Sequence, residues 1–160
     1  MKKIISILLS FILAVFSPAM TVLARPDWPA DTGIESEAGI VVDVDSGTVL
    51  YGQNIRVKKS PASITKVLTA LVAIENGNLD DTVTFTADAM NNVESDSGNK
   101  NNMAEGDQMT LRDALYFMLL TSSNQAANAI AEHVGGSQED FIGMMNQRAE
   151  ELGCVDSHFV

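Results

Sequence analysis

Along the chain, apolar and polar positions follow two different patterns, one predicting strands and the other helices. The β-branched run Gly39-Ile40-Val41-Val42-Asp43-Val44 and the run Thr48-Val49-Leu50-Tyr51 flank Asp45-Ser46-Gly47, which has the turn chemistry of a hairpin. Two antiparallel strands are expected there. A calcium loop on Asp43 and Asp45 is excluded, because Gly47 stands one place too early for an EF-hand and no glutamate closes the loop. Ser60-Pro61 carries a helix-start signature, and the helix should run through Val67, Leu68, Ala70, Leu71, Val72 and Ile74 to a stop at Gly77. Its second half is apolar nearly all round, which predicts a position in the middle of a domain.

Three further helices follow from spacing and caps. Thr110 should cap one through Leu111, Ala114, Leu115, Met118 and Leu119, and another should run from about Asn124 to His133, ended by Gly135-Gly136. The last begins at Ser137 with Asp140 in capping-box position. It carries Phe141, Met144, Met145, Ala149 and Leu152 at helical spacing and ends at Gly153. Between these helices the stretch from Met90 to Asp107 holds five asparagines and few apolar residues, so it reads as a long loop. One strand pair followed by several helices predicts an α+β domain.

The first apolar run has another meaning. Lys2 and Lys3 precede Ile4 to Phe16, Ser17-Pro18 breaks the helix, and Val22-Leu23-Ala24 offers a cleavage site, the organisation of a secretory signal peptide. The run falls short of the ~20 residues needed to span a bilayer. Residues 1–24 are therefore expected to be removed and the protein to work outside the cytoplasmic membrane. Residues 25–37, with Pro26, Pro29 and Gly33 and no apolar period, read as a linker, and the folded domain should span 38–160. No second apolar stretch long enough to anchor the chain in a membrane follows.

Composition narrows the chemistry. With 160 residues, 46% hydrophobic and 19% charged, the chain is an ordinary globular one, and 10 basic against 21 acidic residues argues against nucleic acid as a partner. One cysteine, Cys154, cannot form an internal disulfide, and it is expected to be a small buried apolar residue. Two histidines, His133 and His158, cannot supply a Cys/His metal spacing, so neither a metal nor a cofactor is expected. His133 should sit near a helix C-terminus, where a cation is mildly favoured.

Ser63 and Lys66 are three apart at the start of the first helix, so they share a face. Unpaired N–H groups of a first turn can receive a developing oxyanion. A lysine can take the serine proton only if its ammonium form is disfavoured, as burial against this apolar helix would do. A Ser-x-x-Lys spacing is common by chance, and Ser97-Gly98-Asn99-Lys100 repeats it within the asparagine-rich loop, where nothing fixes its geometry. Ser122 and Asn124 add weight: they stand at a tight junction between two helices, and capping by Ser123 does not occupy Ser122. A base-activated serine, a second hydroxyl for proton relay and an amide to hold a substrate are equipment for acyl transfer.

The segments Ser60-Pro-Ala-Ser63-Ile-Thr-Lys66 and Ser122-Ser-Asn124 resemble the Ser-x-x-Lys and Ser-x-Asn boxes of the penicillin-binding proteins and serine β-lactamases. In context, the hairpin Ile40 to Asn54, Gly106-Asp107 and Ala131-Glu-His-Val-Gly-Gly-Ser137 resemble the low-molecular-weight D-alanyl-D-alanine carboxypeptidases. The resemblance implies the N-terminal portion of a β-lactamase/transpeptidase-like fold. It also implies a serine peptidase whose Ser63 is acylated by the terminal D-alanyl-D-alanine of a peptidoglycan stem peptide, with Lys66 as base. Ser122 would relay the proton and Asn124 would position the substrate, and β-lactams would be covalent inhibitors. The family's third box, Lys-Thr-Gly, is absent, since no lysine here is followed by Thr-Gly. The chain is accordingly expected to lack the later strands, to leave its two-stranded sheet with an open edge, and to turn over little by itself. A β-lactamase is the competing enzyme, but its water-activating glutamate has no counterpart in an extended loop: Glu132, Glu139, Glu150 and Glu151 fall in or beside predicted helices. A non-catalytic secreted module is the third alternative.

Overall fold

The structure, a computed structural model, describes residues 33–93 and 103–160. The signal segment, the first part of the linker and the Ser97–Lys100 repeat lie outside the described residues. The chain divides into two units, residues 1–56 and 57–160.

In the first unit, strands β1 (Gly39–Val42) and β2 (Val49–Gln53) pair antiparallel. Val41 faces Tyr51 and Val42 faces Val49, so Leu50 is an extra residue in a bulge. Asp43 organises the turn. Its N–H donates to Thr48 C=O and its C=O accepts from Gly47 N–H, while its carboxylate accepts from Asp45 N–H and the Ser46 hydroxyl. The Ser46 hydrogen bond, followed by that of Asp45, holds the Asp43 carboxyl below the usual carboxylate range. Gly47, at φ +68°, supplies the left-handed step. The first strand therefore ends two residues before the predicted Val44, which lies exposed in the turn. Ile40, Val41, Val42, Val49 and Leu50 are all exposed.

The second unit is a helical assembly with a small sheet. A 3-10 turn over Ala62–Ile64 leads into α1 (Thr65–Asn76), then β3 (Thr82–Thr84), α2 (Ala87–Asn91), β4 (Gln108–Thr110), α3 (Leu111–Thr121), α4 (Asn124–Gly135) and α5 (Gln138–Glu151). The central element is α4, not α1. Its buried face is Ala126, Ala129, Ile130 and Ala131, and small side chains there let α1, α2, α3 and α5 all pack against it. By contrast α1 buries Thr69, Ala70, Val72 and Ala73 but exposes Val67 and Ile74. Its apolar sequence overstates its enclosure within this unit. The core is completed by Val83, Phe85, Leu111, Met118 and Phe141, each fully or almost fully buried.

Three caps form as the sequence predicts. Thr110 accepts from Asp113 N–H, Ser123 from Ala126 N–H and Ser137 from Asp140 N–H. Gly77 and Gly136 end α1 and α4. Gly135 is required by contact: a Cβ there would stand 2.8 Å from the Phe141 backbone nitrogen. Arg148 ties α5 to α1 through paired hydrogen bonds of 2.8 and 2.9 Å to Glu75.

Several expectations need correction. A second antiparallel pair, β3 with β4, was not legible, because three-residue strands such as Thr82-Val83-Thr84 are too short to show a period. Nor was α2, which is capped by Thr86 and runs through Met90 to Asn91, so the loop begins later than predicted. Cys154 is exposed rather than buried, since it lies beyond the end of α5 at Glu151, after the left-handed Gly153 (φ +83°), instead of continuing the helix's apolar face. Leu152, counted with that apolar face, is also exposed. His133 does lie in the last turn of α4, with Nε2 3.7 Å from the Asp81 carboxylate.

Candidate active site

Ser63 does not sit in the first turn of an α-helix as predicted. It lies in the 3-10 turn just before α1, with Pro61 rather than Ser60 at the capping position and no side-chain cap. The turn is closed by Ile64 N–H donating to Pro61 C=O at 3.1 Å. Ala62 within it adopts φ +45°, a left-handed conformation that costs a non-glycine residue about 1–2 kcal/mol. The three-residue spacing still places Ser63 and Lys66 on one face, with Lys66 Nζ 3.4 Å from Ser63 Oγ.

The second half of the site comes from the junction of α3 and α4. Ser122 is the C-cap of α3 in the left-handed region (φ +57°), Ser123 is the buried N-cap of α4, and Asn124 is the first residue of α4. That sharp reversal brings the Ser122 hydroxyl to 2.7 Å from Ser63 Oγ and Asn124 Oδ1 to 2.7 Å from Lys66 Nζ. All four residues singled out from the sequence, Ser63, Lys66, Ser122 and Asn124, are therefore in one cluster.

Lys66 is the electrostatic centre of the cluster. It is only 8% exposed, and its two hydrogen-bond partners here are a hydroxyl and an amide oxygen, neither of which carries charge. Burial lowers its pKa below the ordinary 10.5 because it penalises the ammonium form. An amine held closer to neutrality can accept a proton, and the serine hydroxyl 3.4 Å away can supply one. The direct Lys66–Asn124 pairing was missed by sequence reasoning, which assigned Asn124 to substrate alone. The left-handed Ala62 was missed too, because alanine gives no signal of a positive φ.

Other candidates separate from this cluster. Among the described residues no group of three or more Cys, His, Asp or Glu could hold a metal. A separate groove of about 910 Å³ is lined by Thr82, Thr86, Asp88, Glu132 and Gln138, among others, and none of the four cluster residues lines it. Its side chains bond one another: Thr86 and Gln138 both donate to Glu132. Glu132 lies in α4 and Glu139, Glu150 and Glu151 lie in α5, so none of the four occupies an extended loop.

The D-alanyl-D-alanine carboxypeptidase family matches over residues 24–160. The D-alanyl-D-alanine carboxypeptidase DacF of Bacillus subtilis (strain 168) is 30% identical over 163 residues, 99% of this chain and 41% of that protein. DacB2 of Mycobacterium tuberculosis (strain ATCC 25618 / H37Rv), a D-alanyl-D-alanine carboxypeptidase, is 39% identical over 134 residues, 83% of this chain and 42% of that protein. Among solved structures, penicillin binding protein 5 from Haemophilus influenzae matches with a TM-score of 0.72 and 26% identity, covering 83% of this chain and 40% of that one. The fold is thus of the penicillin-binding, transpeptidase-like class. Within that class the chain belongs to the D-alanyl-D-alanine carboxypeptidase family. It spans about two fifths of the length of the curated relatives it matches.

Proposed function

We propose that this chain carries the nucleophile half of a serine D-alanyl-D-alanine carboxypeptidase. The observation that carries the reading is the triangle in which Ser63 Oγ lies 2.7 Å from Ser122 Oγ and 3.4 Å from a buried Lys66 Nζ. Ser63 Oγ attacks the carbonyl carbon between the two D-alanines of a peptidoglycan stem peptide, and its proton passes to neutral Lys66. The N–H groups of Ile64 and Thr65 donate within the turn, which leaves the oxyanion to the Ser63 N–H and to donors from elsewhere. Collapse of the tetrahedral adduct breaks the C–N bond. The proton held by Lys66 reaches the departing amine through the Ser122 hydroxyl, and D-alanine leaves. Water then hydrolyses the ester on Ser63. Asn124 holds Lys66 in place through its Oδ1, and its amide nitrogen is available for the substrate backbone.

β-Lactams are acylating inhibitors in this scheme, because their strained amide presents the same carbonyl to Ser63. Residues 1–24 direct export, so the reaction takes place outside the cytoplasmic membrane. The test is labelling with a fluorescent penicillin, on this chain and on a form continued through a Lys-Thr-Gly strand, followed by mass spectrometry. An adduct on Ser63 that is lost in Ser63→Ala supports the reading. Absence of an adduct from both forms overturns it.

A further inference from the structure

Helix α5 supports α1 unevenly along its length. Toward the C-terminal end of α1, Glu75 is tied directly to Arg148 by the paired hydrogen bonds described above. Midway, the Thr69 hydroxyl donates to Met145 Sδ at 3.8 Å. At the other end, the one that carries Lys66, a crevice of about 190 Å³ separates the two helices. Thr65 and Thr69 of α1 line it, with Phe141 and Ile142 of α5, Ala127 of α4 and Phe159. From Glu151 to Val160 every residue is exposed except Phe159, which is half-buried and packs against the core.

One side chain sets where that ring goes. Asn146 of α5 accepts from Phe159 N–H at 2.8 Å and donates to Phe159 C=O at 2.9 Å, so a single amide pairs both backbone groups as a neighbouring strand would. Close-packed interiors transmit displacement rather than absorb it, so a phenyl ring fixed between helices sets their separation. We infer that Asn146 and Phe159 are positioning residues: the amide clips the ring at the crevice, and the ring holds the Lys66 end of α1 where the lysine reaches both Ser63 and Asn124. This rests on Ser63 and Lys66 being the nucleophile and the base of the proposed reaction. Without the ring, the crevice admits water beside Thr65, one residue from Lys66. The groups bonded to Lys66 Nζ, the Ser63 hydroxyl and the Asn124 amide oxygen, are uncharged, so added water favours the ammonium form.

The test measures acylation of Ser63 against pH, per folded molecule, together with the thermal midpoint, in whichever form of the protein is labelled by penicillin. Phe159→Ala should lower the thermal midpoint and move the rise of acylation upward by about one pH unit, so that the rate at pH 7 falls about tenfold. Asn146→Ala leaves the ring but removes its clip, and should move the rise in the same direction by a smaller amount. Phe159→Leu refills most of the space and should keep the parental profile. A ring that serves stability alone would lower the thermal midpoint and leave the pH profile where it was, so an unmoved profile in Phe159→Ala overturns the inference. If Phe159→Ala does not fold, an unmoved profile in Asn146→Ala overturns it. A parent that is never acylated overturns this inference together with the reading it rests on, whereas a labelled parent whose variants all keep its profile overturns this inference only.

Discussion

The hydroxyl oxygens of Ser63 and Ser122 lie 2.7 Å apart although 59 residues of chain separate them. Each hydroxyl is presented at a break in helical structure, one by the 3-10 turn before α1 and the other by the C-cap of α3. Two irregular points that a regular helix could not replace thus meet over one buried lysine. Such meetings are costly to build and are what sites of chemistry require.

The pair should separate by mutation. Ser63→Ala should abolish covalent labelling, whereas Ser122→Ala should leave the adduct on Ser63 and slow its formation by about 10²–10⁴, the usual range for losing a proton-transfer group. Mass spectrometry of the adduct against time distinguishes the two.

Lys66 should set the pH dependence. Its pKa is lowered by burial, so the neutral, proton-accepting fraction grows as pH rises, and acylation should increase through a midpoint below 10.5. Lys66→Arg should not acylate at any pH, because a guanidinium stays protonated. The rate measured against pH in both proteins checks this.

The same shift bears on stability with a definite sign. Below its lowered pKa the folded protein holds an ammonium in a site that disfavours it, while the unfolded chain does not. Stability should therefore rise with pH from that lowered value up to the ordinary 10.5. Lys66→Met should be more stable than the parent in urea at pH 7, and the gap should narrow as pH approaches 10.5.

Asn124 Oδ1 accepts a 2.7 Å hydrogen bond from Lys66 Nζ. Replacing the amide by a carboxylate in Asn124→Asp places an opposite charge on Lys66 and favours the ammonium. The rise of acylation should move to higher pH than in the parent, without loss of the folded state. A pH profile unchanged in this variant would contradict the pairing.

Gly135 tests the framework behind the site. An added Cβ meets the backbone of Phe141 at 2.8 Å, which no rotamer change relieves. Gly135→Ala should destabilise the helical unit by about 1–3 kcal/mol, read from urea unfolding, by forcing α4 and α5 apart.

Much of this was legible because it is local. The caps at Thr110, Ser123 and Ser137 and the stops at Gly77 and Gly136 depend on residues within one turn of each other, so sequence spacing reveals them. The strands β3 and β4 were not legible, since a three-residue strand gains its identity from its partner, here 24 or more residues away. The enclosure of α1 was misjudged for a related reason: an apolar face states a preference for burial, and only neighbours can satisfy it. Cys154 was misplaced because burial of a small residue after a helix depends on where the chain turns.

The sequence by itself determined which residue types could do acyl-transfer chemistry, namely Ser63 with Lys66 one turn on, and Ser122 with Asn124 at a helix junction. It did so because those spacings are fixed by helix and cap geometry. Only the tertiary structure decided that the two segments meet, that Lys66 is buried against an uncharged hydroxyl and amide among the described residues, that Asn124 holds the lysine, and that Ala62 turns left-handed ahead of the serine. These follow from packing α1, α3 and α4 around a shared core, and long-range packing leaves no period in the chain from which it could be read.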